Sequence, residues 1–209
     1  MIFRGKLRLA AVALASVVAL VGLQGQPASA QISWDWSGGS REVVSFSQKY
    51  SPGQIIVSFG DRKLYYITQR GQAISYPIAV PREKSRWQGT TTVSVKRKNP
   101  SWTPTPRMIA ENPRLPRWVP GGHPMNPLGV RALYLGSSMY RIHGTDAPWT
   151  IGTAASAGCI RLYNEDVLDL YPRVRVGARV TVTYQRYTTS GAMSSAAKSA
   201  PKSFSLFGG

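Results

Sequence analysis

Short runs of alternating apolar and polar residues fill the middle of this chain and predict a mainly β domain. Residues 55–59 alternate, Gly60-Asp61 marks a turn, and residues 64–67 are again β-prone, which predicts a hairpin. Further β-prone runs lie at residues 73–80, 91–96, 130–135, 139–142 and 179–184. Several short strands separated by turns predict a β-sandwich or a β-barrel.

One segment has the signature of a helix instead. Asn164 is a favourable N-cap residue, and Glu165 and Asp166 place acids in the first turn. Apolar residues follow at helical spacing, and Pro172 is expected to end the helix. This predicts one short helix, which begins five residues after Cys159.

The first thirty residues have the composition of a secretory signal peptide. Arg4, Lys6 and Arg8 precede an apolar run at residues 9–21, and Ala28-Ser29-Ala30 supplies the small residues of a cleavage site. A retained membrane anchor is the alternative, but the run is shorter than the roughly 20 residues of a spanning helix. We therefore expect an exported protein that does not span the membrane after cleavage of residues 1–30.

Composition divides the rest of the chain into three parts. Residues 31–53 lack clear periodicity and are expected to form a flexible lead-in, with order beginning near Gln54. Residues 54–185 hold the predicted strands and helix and form one domain. Residues 186–209 are rich in Ser, Ala, Gly and Lys, which predicts a disordered basic tail.

The chain is strongly basic. Its formal charge is +17, and +14 remains after removal of residues 1–30, which hold three cations and no acid. Such a surface attracts polyanions, and outside the cytoplasm these are cell-wall carboxylates, anionic lipids and lipopolysaccharide. The alternative is a merely soluble basic surface. Export argues against a nucleic-acid partner.

A long proline-rich segment separates the predicted strands. Residues 99–126 contain seven prolines and little periodicity, so we expect a long loop. Loops of this length in a compact domain are commonly functional. Trp102 and Trp118 favour a wall or lid of a site, and a stiff connection packed by its tryptophans is the alternative.

Cys159 is the single cysteine of the chain. Exported proteins commonly use cysteine in disulfides, but Cys159 has no partner for one within this sequence. A thiol is mostly protonated at neutral pH, so a nucleophilic cysteine needs a base or positive surroundings. His143 is the candidate base, and a loop readily closes the distance between them. Considered one at a time, Cys159 could be an inert thiol and His143 a structural histidine. Their proximity to each other and to Arg161 favours a nucleophile.

Neighbouring residues supply the rest of a site. Gly158 permits a sharp turn, and the amides of Gly158 and Cys159 are candidate oxyanion donors. Arg161 suits a carboxylate, and Ser156 can hydrogen-bond across the loop. The carbonyl of Gly144 is the candidate orienter of the histidine. Thr145 and Asp146 are alternative orienters.

A metal site is a weaker hypothesis. His123, His143 and Cys159 are possible zinc ligands, but no pair has the spacing of a zinc finger. Papain-type peptidases place cysteine before histidine, which is the opposite order. In sortase-like enzymes the histidine lies far upstream of the cysteine, unlike here.

Two motifs carry a family resemblance, Ile142-His143-Gly144-Thr145 and Ser156-Ala157-Gly158-Cys159-Ile160-Arg161-Leu162. Together they resemble the signature of L,D-transpeptidase (YkuD) catalytic domains, and the likeness extends over about residues 54–185. It implies a mostly β domain and no cofactor. It also implies peptidoglycan stem peptides as substrate, with roles in cell-wall biogenesis and cell shape.

Residue by residue, the resemblance implies Cys159 as nucleophile, His143 as general base and Gly144 as the residue whose carbonyl orients it. Ser156, Gly158 and Arg161 match the remaining pocket positions. The sequence departs from many relatives at Ala157, where histidine is common, and asparagine replaces Arg161 in some branches.

The expected function is that of an exported, periplasmic or cell-envelope L,D-transpeptidase. Cys159 attacks the amide between the third residue and the terminal D-alanine of a tetrapeptide stem, and a thioester forms. An amine of another stem or of an envelope protein then accepts the acyl group. Hydrolysis by an L,D-carboxypeptidase-type enzyme is one alternative, and a non-catalytic peptidoglycan-binding module is another.

Overall fold

Eleven strands and two α-helices make up the part of the chain that the computed structural model describes, residues 40–187 and residue 189. The strands are β1 (Glu42–Ser45), β2 (Ile55–Ser58), β3 (Lys63–Gln69), β4 (Gln72–Pro77), β5 (Val80–Pro81), β6 (Gly89–Lys98), β7 (Arg131–Leu135), β8 (Arg141–His143), β9 (Ala154–Ser156), β10 (Ile160–Arg161) and β11 (Arg179–Thr183). The helices are α1 (Pro106–Glu111) and α2 (Asn164–Arg173). The predicted mainly β class is confirmed.

Nine strands form one sheet in the order β1-β4-β3-β2-β11-β6-β7-β8-β10. Strands β5 and β9 pair in parallel as a separate, two-stranded sheet. Because β1 and β10 stand at opposite ends of the large sheet, it is not closed into a barrel. The long strand β6 joins its two halves, since residues 89–92 pair with β11 and residues 93–98 pair with β7.

One large apolar core is shared by both halves of the sheet and by α2. It contains buried side chains from β2, β7, β8, β10 and α2, among them Ile55, Leu133, Ile142, Ile160 and Val167. Burial of each such side chain stabilises the fold by about 1.5–3 kcal/mol. This core holds the ends of β8 and β10 in fixed positions, and these ends support the site described below.

The predicted hairpin is confirmed. Strands β2 and β3 pair antiparallel, with Ile55 opposite Tyr66 and Val57 opposite Leu64. The hairpin occupies the centre of one half of the sheet, between β4 and β11.

Ordered structure begins before the expected start near Gln54. Strand β1 pairs antiparallel with β4, and Val44 and Phe46 are buried in a second apolar cluster with Tyr65. Tyr187, beyond the expected domain end at residue 185, packs against the same cluster. A four-residue strand with one buried side chain is too short for its periodicity to stand out in the sequence.

The proline-rich segment is largely a loop, as expected, but it contains the unpredicted helix α1. Thr105 caps this helix, because its hydroxyl accepts the N–H of Met108 at 3.3 Å, and Pro106 occupies the first turn. Trp102 and Val119 form an isolated antiparallel bridge that closes the loop on itself. The described residues therefore hold two α-helices where one was predicted.

Helix α2 occupies the predicted position after Cys159, but its predicted cap is wrong. The N-cap is Tyr163, and the side chain of Asn164 bonds instead to the loop that follows β8. Pro172 lies in the last turn, and the helix ends at Arg173.

The expected signal peptide at residues 1–30 and most of the expected tail at residues 186–209 lie outside the described residues. Among the residues that are described, none of the helices has the length and apolarity needed to cross a membrane.

Candidate active site

A cleft lies beside the ends of β8 and β10. One part of its lining, which we call the strand wall, consists of Arg141, His143, Ser156, Cys159 and Arg161. A second part, which we call the α1 wall, consists of Trp102, Arg107, Met108, Glu111 and Leu128. The structure thus brings four residues singled out from the sequence to one cleft, and Gly144 and Gly158 are their chain neighbours.

Parallel pairing of β8 with β10 explains this convergence. Ile160 lies opposite Ile142, and Arg161 lies opposite His143. The N–H of Leu162 donates to the carbonyl of His143 at 2.8 Å and extends the ladder. Two motifs that are distant in sequence therefore meet on adjacent strands.

His143 is fixed as a neutral imidazole. Its side chain is only 3% exposed, and Nδ1 lies 2.5 Å from the carbonyl oxygen of Gly144. Because a carbonyl only accepts, Nδ1 carries the proton and Nε2 is free to accept one. Burial, assisted by the charge of Arg161, lowers the pKa of His143 from 6.5 to about 3.

Cys159 is partly exposed. Burial raises the pKa of its thiol, and the backbone N–H and guanidinium of Arg141 and the charge of Arg161 oppose the rise. The raised pKa keeps the thiol protonated at neutral pH. The resting pair is therefore thiol and imidazole, because burial outweighs the positive surroundings that were expected to create a thiolate.

Ser156 organises the turn that carries the cysteine. Its hydroxyl donates to the carbonyl of Cys159 at 2.5 Å and accepts the N–H of Gly158 at 3.3 Å. The N–H of Gly158 is therefore occupied. Within residues 40–187, the N–H of Cys159 donates to no protein acceptor, so it is the amide that remains free to bind a developing oxyanion.

Two arginines bring buried positive charge to the strand wall. Among the described residues, the Nε atoms of Arg141 and Arg161 are buried without a hydrogen-bond partner. An unsatisfied buried donor costs about 1–3 kcal/mol. The positive charge of these two cleft-lining side chains favours an anionic ligand, and carboxylates match the planar donors of arginine.

The long loop contributes to the site through one of its two tryptophans. Trp102 lines the cleft and packs with Val119 and Leu128. Trp118 is 58% exposed and is not part of the cleft lining. His123 lies at a different cavity, so the structure does not bring the three possible zinc ligands together.

Several site residues were missed by sequence reasoning. Arg141 lies within the β-prone run at residues 139–142 that predicted β8, and nothing in the local pattern marks it as functional. Asn164 was identified only as a cap, yet its side chain accepts the N–H of Thr145 at 3.1 Å and donates to the Thr145 carbonyl at 2.9 Å. It thereby fixes the backbone that follows His143.

Comparison with known proteins agrees with this geometry. The family model of the L,D-transpeptidase catalytic domain, YkuD, matches residues 52–182. The probable L,D-transpeptidase ErfK/SrfK of Escherichia coli K12 is 41% identical over 146 residues, which cover 65% of this chain and 46% of that protein. This chain thus spans about half the length of that relative.

A protein of Fuscovulum blasticum, named as an L,D-transpeptidase in the ATP synthase subunits region, is 38% identical over 139 residues, which cover 66% of this chain and 72% of that protein. A solved L,D-transpeptidase from Mycobacterium smegmatis is 19% identical with a TM-score of 0.49, over 62% of this chain and 58% of that chain. The family model alone accounts for more than half of the chain. The chain therefore belongs to the L,D-transpeptidase catalytic-domain family.

Proposed function

We propose that this protein is an exported L,D-transpeptidase that acts on peptidoglycan stem peptides through a thioester on Cys159. The observation that carries the proposal is the meeting of Cys159, His143 and Arg161 on the strand wall of one cleft. Family membership supports the reaction class. The charge of residues 31–209 supports an anionic envelope as its surroundings.

Acylation begins from the neutral pair. The sulfur of Cys159 attacks the carbonyl of the third stem residue, a diamino acid, while Nε2 of His143 takes the thiol proton. Since the thiol pKa is raised and the imidazole pKa is lowered, attack and proton transfer are coupled. The imidazolium then protonates the D-alanine nitrogen, the carbon–nitrogen bond breaks, and a thioester remains.

The charge that develops on the carbonyl oxygen is stabilised by the N–H of Cys159, which is the free amide of the turn. Arg141 and Arg161, whose side chains line the cleft, hold carboxylates of the stem peptides through their guanidinium groups. Positioning of the donor by these contacts makes the attack effectively unimolecular.

Deacylation completes the transfer. An amine attacks the thioester, His143 accepts its proton, and the thiol of Cys159 is restored. A stem-peptide amine gives a crosslink between third residues, and an envelope-protein amine gives covalent anchoring. Attack by water instead gives a tripeptide, the product of an L,D-carboxypeptidase.

Analysis of products from purified tetrapeptide muropeptides tests the proposal. We expect wild-type protein to release D-alanine and to give dimers, whereas Cys159→Ala releases none while keeping its circular-dichroism spectrum. D-alanine release by Cys159→Ala at the wild-type rate refutes the cysteine mechanism. Tripeptides as the single product identify a hydrolase, and binding without release identifies a non-catalytic module.

A further inference from the structure

Trp87, which lies just before β6 and outside the cleft lining, contacts the turn that carries the cysteine. Its indole N–H donates to the carbonyl of Gly158 at 3.0 Å. Its ring stacks on Tyr140, with centroids 4.6 Å apart and planes inclined by 9°. Neither contact belongs to the catalytic mechanism described above.

Tyr140 packs in turn against Gly158. A Cβ atom at Gly158 would lie 2.5 Å from the ring of Tyr140, and Gly158 has a φ of +138°. Only glycine accepts both the contact and this backbone conformation readily. Trp87, Tyr140 and Gly158 therefore interlock three separate segments directly beside the nucleophile.

The hydrogen bond from Trp87 has a geometric consequence for Cys159. The carbonyl of Gly158 and the N–H of Cys159 belong to the same planar, trans peptide unit, so they point in opposite directions. Holding the carbonyl fixes the direction of the N–H. Ser156 holds the next carbonyl, that of Cys159, at 2.5 Å, so both peptide units beside the cysteine Cα are constrained.

We propose that Trp87 is a positioning residue that aims the Cys159 N–H at the developing oxyanion. This inference rests on the proposed function, because an oxyanion forms only in acyl transfer. Trp87 touches no reacting atom and acts through the Gly158–Cys159 peptide unit. Its stack on Tyr140 holds the indole at the angle that the hydrogen bond requires.

A comparison of two reactions of the Cys159 sulfur distinguishes this positioning role from a general packing role of Trp87. Acylation by a carbapenem passes through an oxyanion at the carbonyl carbon, and we expect Trp87→Phe to slow it about tenfold or more, since loss of an oxyanion donor costs about 10²–10³ in rate. Alkylation by iodoacetamide displaces iodide at a saturated carbon and forms no such oxyanion. Its rate and pH dependence should stay within about twofold of wild type.

Two further variants sharpen the test. Replacement of the Trp87 indole by benzothiophene keeps the ring shape and removes only the N–H, so it should reproduce the selective loss even if Trp87→Phe folds poorly. Trp149→Phe is the matched control, because Trp149 is 60% exposed and is not part of the cleft lining. Both of its rates should equal those of wild type.

The outcomes distinguish two kinds of failure. Acylation of both Trp87 variants at the wild-type rate, or an equal loss of acylation and alkylation, overturns the role of Trp87 and leaves the proposed function standing. Wild-type protein that is alkylated but never acylated overturns the acyl-transfer function, and the role of Trp87 with it.

Discussion

The strand wall and the α1 wall of the cleft are built from different kinds of structure. His143 and Arg161 lie on paired strands that are anchored in the main core, whereas Arg107 and Glu111 lie on a six-residue helix with their side chains 66% and 50% exposed. Burial lowers the pKa of His143 strongly. By contrast, Arg107 and Glu111 form a solvent-exposed ion pair at 2.8 Å.

This difference predicts a division of labour. Groups on a buried, hydrogen-bonded ladder keep the geometry that bond making requires. Charged groups on an exposed helix are screened by solvent and contribute only modestly to binding energy. Changes to the strand wall should therefore reduce turnover, and changes to the α1 wall should affect binding alone.

The largest effect should follow from removal of the base. His143→Gln keeps a side chain of similar size but cannot accept the thiol proton at neutral pH, so we expect kcat to fall about 10²- to 10⁴-fold. Steady-state D-alanine release measures this. Alkylation of Cys159 at high pH should persist, and its loss would indicate a misfolded site instead.

The same variant should change acid stability. Because the pKa of His143 is about 3 in the fold and 6.5 is its ordinary value, the unfolded chain binds more protons between these values. The contribution of His143 to the free energy of unfolding is therefore fully present above pH 6.5. It is lost as the pH falls from 6.5 toward 3, by about 1.4 kcal/mol per pH unit.

Denaturant unfolding of wild type and His143→Gln at pH 7 and pH 4 measures this loss. Asp166, whose pKa burial raises to about 6, acts in the opposite direction, but it is present in both proteins and cancels. Equal pH dependence in the two proteins contradicts a neutral, buried His143.

A smaller effect is expected from Arg161→Met. Loss of a charged hydrogen-bond donor is expected to cost about 1.5–3 kcal/mol, so kcat/KM should fall about 10- to 100-fold. The pKa of His143 should also rise, since Arg161 helps to lower it. NMR titration of the His143 ring resonances measures that rise. Arg97→Met, at an exposed position on β6, is the control and should change neither quantity.

The smallest effect is expected from Glu111→Gln. This substitution breaks an exposed ion pair on α1, so kcat should be unchanged and KM should change less than about fivefold. Steady-state kinetics with tetrapeptide donor checks both. A fall in kcat/KM as large as that of Arg161→Met would remove the distinction between the two walls.

The sequence alone was enough to identify the candidates that lie in short motifs. Cys159, His143 and Arg161 stand out because their chemistry and order are distinctive, and the hairpin stands out because its residues alternate over a sufficient length. Strand β1 and helix α1 were missed because four- and six-residue elements carry too little periodicity.

Residues that act through tertiary contacts left no local signal. Arg141 reaches the thiol because β8 and β10 are parallel neighbours, and Trp87 reaches Gly158 across 71 positions of sequence. The pKa directions of Cys159 and His143 also depend on burial, which the motif does not encode. Composition predicted positive surroundings, but it could not predict that burial outweighs them.

Trapping of the acyl-enzyme tests the central claim most directly. Wild-type protein mixed with excess tetrapeptide muropeptide and quenched in acid should gain the mass of one stem peptide lacking its D-alanine, with the adduct located at Cys159 by peptide mapping. Cys159→Ala should gain nothing. D-alanine release by wild type with no adduct on Cys159, or an equal adduct on Cys159→Ala, would contradict the account.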